Sequence, residues 1–117
     1  MFDFTNYKYP LKDLGYVYIL KLEHNCYYIG SSFNPEDRIL RHVRGVGTEW
    51  TKIHKPVEII SIERRTQDDL ENIRTLEYAT KFGIVNVRGG DFAQLNLSDA
   101  RWEKFNKAVQ DFKTNVN

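Results

Sequence analysis

Cysteine is almost missing from this 117-residue chain: Cys26 stands alone, so no internal disulfide forms and no Cys-rich zinc site is available. That scarcity points to an intracellular, reducing compartment, either the cytoplasm or a nucleoid or nucleus. No apolar run approaches the roughly 20 residues needed to cross a bilayer, so no membrane partner is expected. The N-terminal MFDFTNYKYPLKDL lacks the apolar stretch behind basic residues that marks a secretory signal. A net charge of only +1 argues against a surface that attracts nucleic acid everywhere. No internal repeat or low-complexity segment is present. What the chain does carry is a globular composition, 41% hydrophobic and 28% charged, with seven Tyr, seven Phe and two Trp. A disordered chain would not hold so many aromatics. The length suits one domain.

Residues 1–14 read as an irregular leader, 15–90 as the main domain and 91–117 as a helical extension packed on it. GYVYILKL (15–22) and CYYIGSS (26–32) are β-branched and aromatic runs joined by the turn Glu23-His24-Asn25, hence a β-hairpin. Asn34 caps a helix that starts at Pro35, carries two acids in its first turn and runs to Val43. Its Ile39, Leu40 and Val43 share one face. Gly45-Val46-Gly47 opens a flexible loop that continues to Pro56. Val57–Glu63 alternates too loosely for an exposed strand and suits one covered on both faces. Thr66 caps a second helix that runs to Phe82, where Gly83 stops it. Val85–Gly90 is turn-rich, with a short extended piece. Ser98 caps a last helix lined by Trp102, Phe105, Val109 and Phe112, which is expected to pack on the sheet. The fold class is α+β, a small antiparallel sheet flanked by helices.

Several of these residues can carry chemistry. With a three-residue turn, Leu22 faces Cys26, Tyr18 faces Gly30, and Tyr28 sits diagonally beside Tyr18 on the same side of the sheet. Gly30 leaves open space opposite Tyr18. The alternative is that both tyrosines simply pack, as strand tyrosines do. Leu70 and Ile73 define a buried stripe on the second helix, and Glu77 falls inside it. A core-facing carboxylate needs an arginine partner or a metal, and both readings stand. Arg38 and His42 lie four apart on one helix face. Arginine holds a phosphate in fork geometry, and histidine hydrogen-bonds it or shuttles a proton; a solvated edge is the other reading. His24 and His54 have no special role on this reading. Between Arg38 and Lys55 there are five basic residues and one acid, either a solvated face or a phosphate-binding stretch.

The series Tyr16-Val17-Tyr18, Tyr28-Ile29-Gly30, Arg38, His42, Glu77 and Asn86 resembles the GIY-YIG nuclease family over residues 15–90. Tyr16 stands where that family usually has glycine, and Val17 replaces its isoleucine. Val87-Arg88-Gly89-Gly90 is similar to small members encoded by viruses and mobile elements. The resemblance implies a central three-stranded antiparallel sheet and one divalent metal, Mg²⁺ or Mn²⁺, on Glu77. It implies a DNA endonuclease leaving 5′-phosphate and 3′-hydroxyl ends. Tyr18, helped by Tyr28, would take or relay the proton of the attacking water, and Arg38 would steady the phosphate. His42 would assist, with Gly30 and Asn86 supporting. Duplex or branched DNA is the expected partner, touched by Arg41, Arg44, Lys52 and Lys55. The last 25 or so residues offer only one helix, so sequence preference would be weak or supplied by a protein partner, with the chain a monomer or weak dimer. The competing reading is a catalytically silent member that binds nucleic acid or another protein.

Overall fold

The structure, a computed structural model, describes residues 13–115. The expected leader therefore lies largely outside the described residues. The described chain runs β1 (Tyr16–Leu22), β2 (Cys26–Ser32), α1 (Pro35–Val43), α2 (Glu49–Ile53), β3 (Pro56–Arg64), α3 (Leu70–Phe82), β4 (Val87–Gly89) and α4 (Asp99–Asn115). The sheet order is β3-β1-β2-β4. It holds four strands, not three: β4 adds to β2 in parallel, with Tyr28 opposite Arg88. No described helix is long and apolar enough to cross a membrane.

The hairpin forms in the register that the turn length dictates, with Leu22 opposite Cys26 and Tyr18 opposite Gly30. The turn needs left-handed backbone at His24 and Asn25 (φ 64° and 56°), residues between two strands too β-prone to bend themselves. Glu23 clamps it to the chain entering β3. Its N–H donates to the Lys55 carbonyl at 2.8 Å, and its carboxylate accepts from the Lys55 N–H at 2.9 Å.

Helix α1 begins as its sequence predicts, with the Asn34 side chain accepting from the Asp37 N–H at 3.3 Å. Its buried residues, however, are Ile39 and His42, while Leu40 and Val43 are exposed beside β3. The expected flexible loop contains a further helix. Thr48 caps α2, which turns Trp50 and Thr51 inward. Strand β3 corrects another expectation. It lies at the sheet edge, so Val57, Ile59 and Ile62 are exposed rather than covered on both faces. Helix α3 starts at Leu70, four residues after the expected Thr66 cap, because residues 67–69 form a turn.

Alternation along β1 and β2 sends successive side chains to opposite faces. One face carries Val17, Ile19, Tyr27 and Ile29, which pack with Leu70, Ala79, Phe92, Phe105 and Val109 from α3, α4 and their connection. The other carries Tyr18, Leu20, Leu22, Cys26 and Tyr28 against Ile39 and Trp50. Ser98 caps α4, accepting from the Arg101 N–H at 3.2 Å, and Phe105 stacks on Phe92 with ring centres 4.3 Å apart.

Candidate active site

The second face turns polar where α1 crosses it. Tyr18 and Tyr28 are both buried, with ring centres 6.2 Å apart. Gly30 lies opposite Tyr18, and a Cβ there would run into the Tyr18 hydroxyl and the Tyr28 ring. Glycine at that position makes room for the phenols themselves. From α1, fully buried His42 places Nε2 2.8 Å from the Tyr18 hydroxyl, and its ring centre is 4.9 Å from that of Tyr28. Arg38, one turn earlier, is exposed, yet its charge acts on Tyr18, Tyr28 and His42. Tyr18, Tyr28, Gly30, Arg38 and His42 are thus brought together.

Glu77 is not. It is exposed, and its carboxylate takes a hydrogen bond from Arg74 at 3.0 Å on the outer side of α3; Arg74 also binds Glu63 of β3. The helix-wheel reading puts the buried stripe on Leu70 and Ile73, with Leu76 at its edge. Leu70 is buried and Leu76 packs against the apolar face, but the stripe leaves out Ile73 and runs on through Thr75, Tyr78, Ala79 and Phe82. Glu71 continues that stripe, four residues before Thr75 and seven before Tyr78. At the first turn of α3 its half-buried carboxylate accepts from Ser31 Oγ at 2.5 Å and from the Gly90 N–H at 3.0 Å. Its charge reaches both site tyrosines. Among the described residues it forms no ion pair. The i, i+4, i+7, i+8, i+11 spacing from Glu71 to Phe82 was the available signal.

Two further residues escaped sequence reasoning. Thr51 of α2 lies 2.9 Å from His42 Nδ1 and is fully buried. Arg88 is also buried. It donates to the carbonyls of Gln94, Ile84 and Val87 at 2.9 Å, and lies 4.4 Å and 5.0 Å from the ring centres of Trp50 and Trp102. It pins the chain around β4 rather than facing solvent. Asn86 donates to the Phe82 carbonyl at 2.9 Å and so finishes α3. Arg41, Arg44, Lys52 and Lys55 are exposed, and Lys52 pairs with Glu49.

Burial decides the protonation of the site. It drives the Tyr18 hydroxyl far above a free phenol, with Tyr28 adding to the rise and Arg38 opposing it. Burial first, then the charge of Glu71, pushes Tyr28 up to about 12. Burial, then Arg38 and Arg41, pulls His42 down to about 4. At neutral pH the site therefore holds two protonated phenols and a neutral imidazole, beside Arg38 and a Glu71 that has no basic partner among the described residues. That set can pass a proton along Tyr18 and His42 while presenting positive charge from Arg38.

The profile of the GIY-YIG catalytic domain matches residues 14–81. A UPF0213 protein of Pediococcus pentosaceus is 33% identical over 72 residues, covering 62% of this chain and 74% of that protein. The UPF0213 protein of Staphylococcus saprophyticus is 38% identical over 48 residues, 41% of this chain and 58% of its own length. One from Neisseria meningitidis is 39% identical over 41 residues, 35% of this chain and 45% of its own. The aligned stretch thus spans about half to three quarters of these relatives. No solved structure matches the chain.

Proposed function

This chain belongs to the GIY-YIG family, and on that premise we propose that it is a divalent-metal-dependent DNA endonuclease leaving 5′-phosphate and 3′-hydroxyl ends. One observation carries the reading: a half-buried carboxylate with no basic partner among the described residues stands beside two buried phenols and an exposed arginine. Ser31 and Gly90 each engage one oxygen of Glu71, and every carboxylate oxygen has a second lone pair. Such a group fits Mg²⁺ or Mn²⁺, which is commonly held by one or two carboxylates together with waters and phosphate oxygens. Among the described residues no cluster of three or more His, Cys, Asp or Glu competes for it. The metal role thus passes from Glu77 to Glu71. A cation seated there would supply positive charge to the leaving 3′ oxygen.

The protein's own residues account for the proton and the phosphate. As water attacks phosphorus, the Tyr18 oxygen accepts a water proton while its own proton moves to His42 Nε2, already 2.8 Å away. A phenol this far from ionising serves as a relay, not as a standing base. Arg38 forks onto the non-bridging phosphate oxygens and offsets their growing charge. Tyr28 orders the phenol pair. Arg41, Arg44, Lys52 and Lys55 lie toward the DNA backbone. Sequence preference is weak or comes from a protein partner.

The test is nicking of supercoiled plasmid with Mg²⁺ or Mn²⁺, wild type beside Glu71→Ala, Arg38→Ala and Glu77→Ala. The expected result is metal-dependent cutting that falls by about 10²- to 10³-fold for the first two, with Glu77→Ala within a few-fold of wild type. Wild type as inert as Glu71→Ala, on plasmid and branched DNA alike, ends the proposal. Loss at Glu77 with retention at Glu71 returns the metal to Glu77.

A further inference from the structure

The Tyr18–His42 contact is one link in a longer buried chain of hydrogen bonds, and the far end of that chain favours one direction, with the Thr48 carbonyl taking the Lys52 N–H at 3.1 Å on one lone pair and free to take the Thr51 hydroxyl on the other. The Thr51 hydroxyl has one proton and three neighbours: the Thr48 carbonyl at 3.1 Å, the Thr48 hydroxyl at 3.2 Å and His42 Nδ1 at 2.9 Å. The carbonyl can only accept. The Thr48 hydroxyl oxygen is already an acceptor, taking the Thr51 N–H at 3.2 Å. With the Thr51 proton on the carbonyl, its oxygen faces His42 with lone pairs, and Nδ1 must carry the ring proton. Nε2 is then the bare nitrogen. At the other end the same polarity holds. Among the described residues His42 Nε2 is the hydrogen-bond partner of the Tyr18 hydroxyl, and nearby Arg38 has only donors, so an acceptor for the phenol proton is to be found at Nε2.

We infer that Thr51 is a positioning residue: its hydroxyl, oriented by the Thr48 carbonyl, holds His42 as the Nδ1–H tautomer and so makes Nε2 the proton acceptor for Tyr18. The opposite tautomer would aim an N–H at the phenol oxygen and leave the phenol proton without a partner. Ring rotation offers no escape, because a flipped imidazole would turn carbon toward both Thr51 and Tyr18 and give up both hydrogen bonds. Burial keeps the ring neutral at physiological pH, so the tautomer and not the charge decides what Nε2 does. The catalytic consequence rests on the proton relay proposed above; the tautomer does not.

The experiment is ¹⁵N NMR of the full chain with labelled histidine at neutral pH, on wild type, Thr51→Ser and Thr51→Val, with plasmid nicking alongside. His42 is expected to show a protonated, pyrrole-type Nδ1 and a pyridine-type Nε2 in wild type and in Thr51→Ser. In Thr51→Val the Nε2–H form becomes populated, and nicking falls by about 10- to 100-fold, the scale on which partners that fix an imidazole's tautomer act. A protonated Nε2 in wild type overturns the inference, as does an unchanged His42 spectrum in Thr51→Val. Should Thr51→Val fail to fold, wild type and Thr51→Ser decide: a pyridine-type Nε2 kept in both supports the inference, and its loss in Thr51→Ser overturns it. The expected tautomer in a wild type that cuts no DNA supports the Thr51 assignment and removes the nuclease reading instead.

Discussion

On one face of the sheet Tyr27 stacks on Phe82 with ring centres 4.3 Å apart, inside a cluster that includes Val17, Ile19, Phe105 and Val109. On the other, its neighbour Tyr28 leans toward Tyr18 and His42, beside an open edge where Arg38 and Glu71 bring opposite charges. Adjacent residues of one type, equally buried, thus answer to different demands. The first face is hydrocarbon and gains from area removed from water. The second joins an apolar patch of Leu20, Leu22, Ile39 and Trp50 to a chain of polar groups that tolerates burial because the links described above are hydrogen-bonded. Stability and chemistry divide along the pleat of two strands.

Four measurements sharpen or break that division. Tyr18→Phe should lower nicking by about 10²- to 10³-fold, whereas Tyr27→Phe should leave it within a few-fold; equal loss at both would erase the division. Phe105→Ala, which empties the apolar face, should cost about 4 kcal/mol in denaturant unfolding, while nicking persists below the melting temperature. Acid should act mainly through the polar face. His42 is held neutral, with a folded pKa of about 4 against 6.5 unfolded, so the unfolded chain binds the extra proton. Its contribution is whole above about pH 6.5 and is lost as pH falls toward 4, amounting to about 3 kcal/mol. Unfolding midpoints for wild type and His42→Gln should converge over that window, and parallel pH curves would contradict it. The smallest effect belongs to the rim: replacing Lys52 and Lys55 with Gln should reduce the slope of log affinity for DNA against log salt by about one for each phosphate no longer neutralised.

How much of this was legible in the sequence follows from how local each determinant is. The hairpin and its register were readable because two β-prone runs and a three-residue turn leave little freedom. The start of α1 was readable because Asn34-Pro35 acts within one turn. Strand β3 was misjudged because its composition suits burial, while sheet order, a property of the whole fold, put it at the edge. The five-residue α2 was missed because it is too short to show a period, and with it went Thr51. Glu71 was missed through two linked errors, a helix start set at Thr66 and a stripe drawn through aliphatic residues alone. Thr75 and Ala79 look less apolar than Ile73, yet they are the ones buried. Arg88 read as part of a polar turn, because nothing local announces the two indoles, Trp50 and Trp102, that arrive from distant segments to cover it while it binds the carbonyls of its own loop.

The bend at His24 and Asn25 lies six residues from Tyr18 along the chain, and yet it governs which tyrosine looks where. One residue added to that loop would shift β2 by a single position against β1 and turn it over, sending Tyr27 toward His42 and Tyr28 into hydrocarbon. Apolar core and reacting groups would be ruined by the same event, with no side chain in either one replaced. The hairpin tip is therefore where this fold is least able to accept an insertion, although as an exposed loop it looks the most permissive.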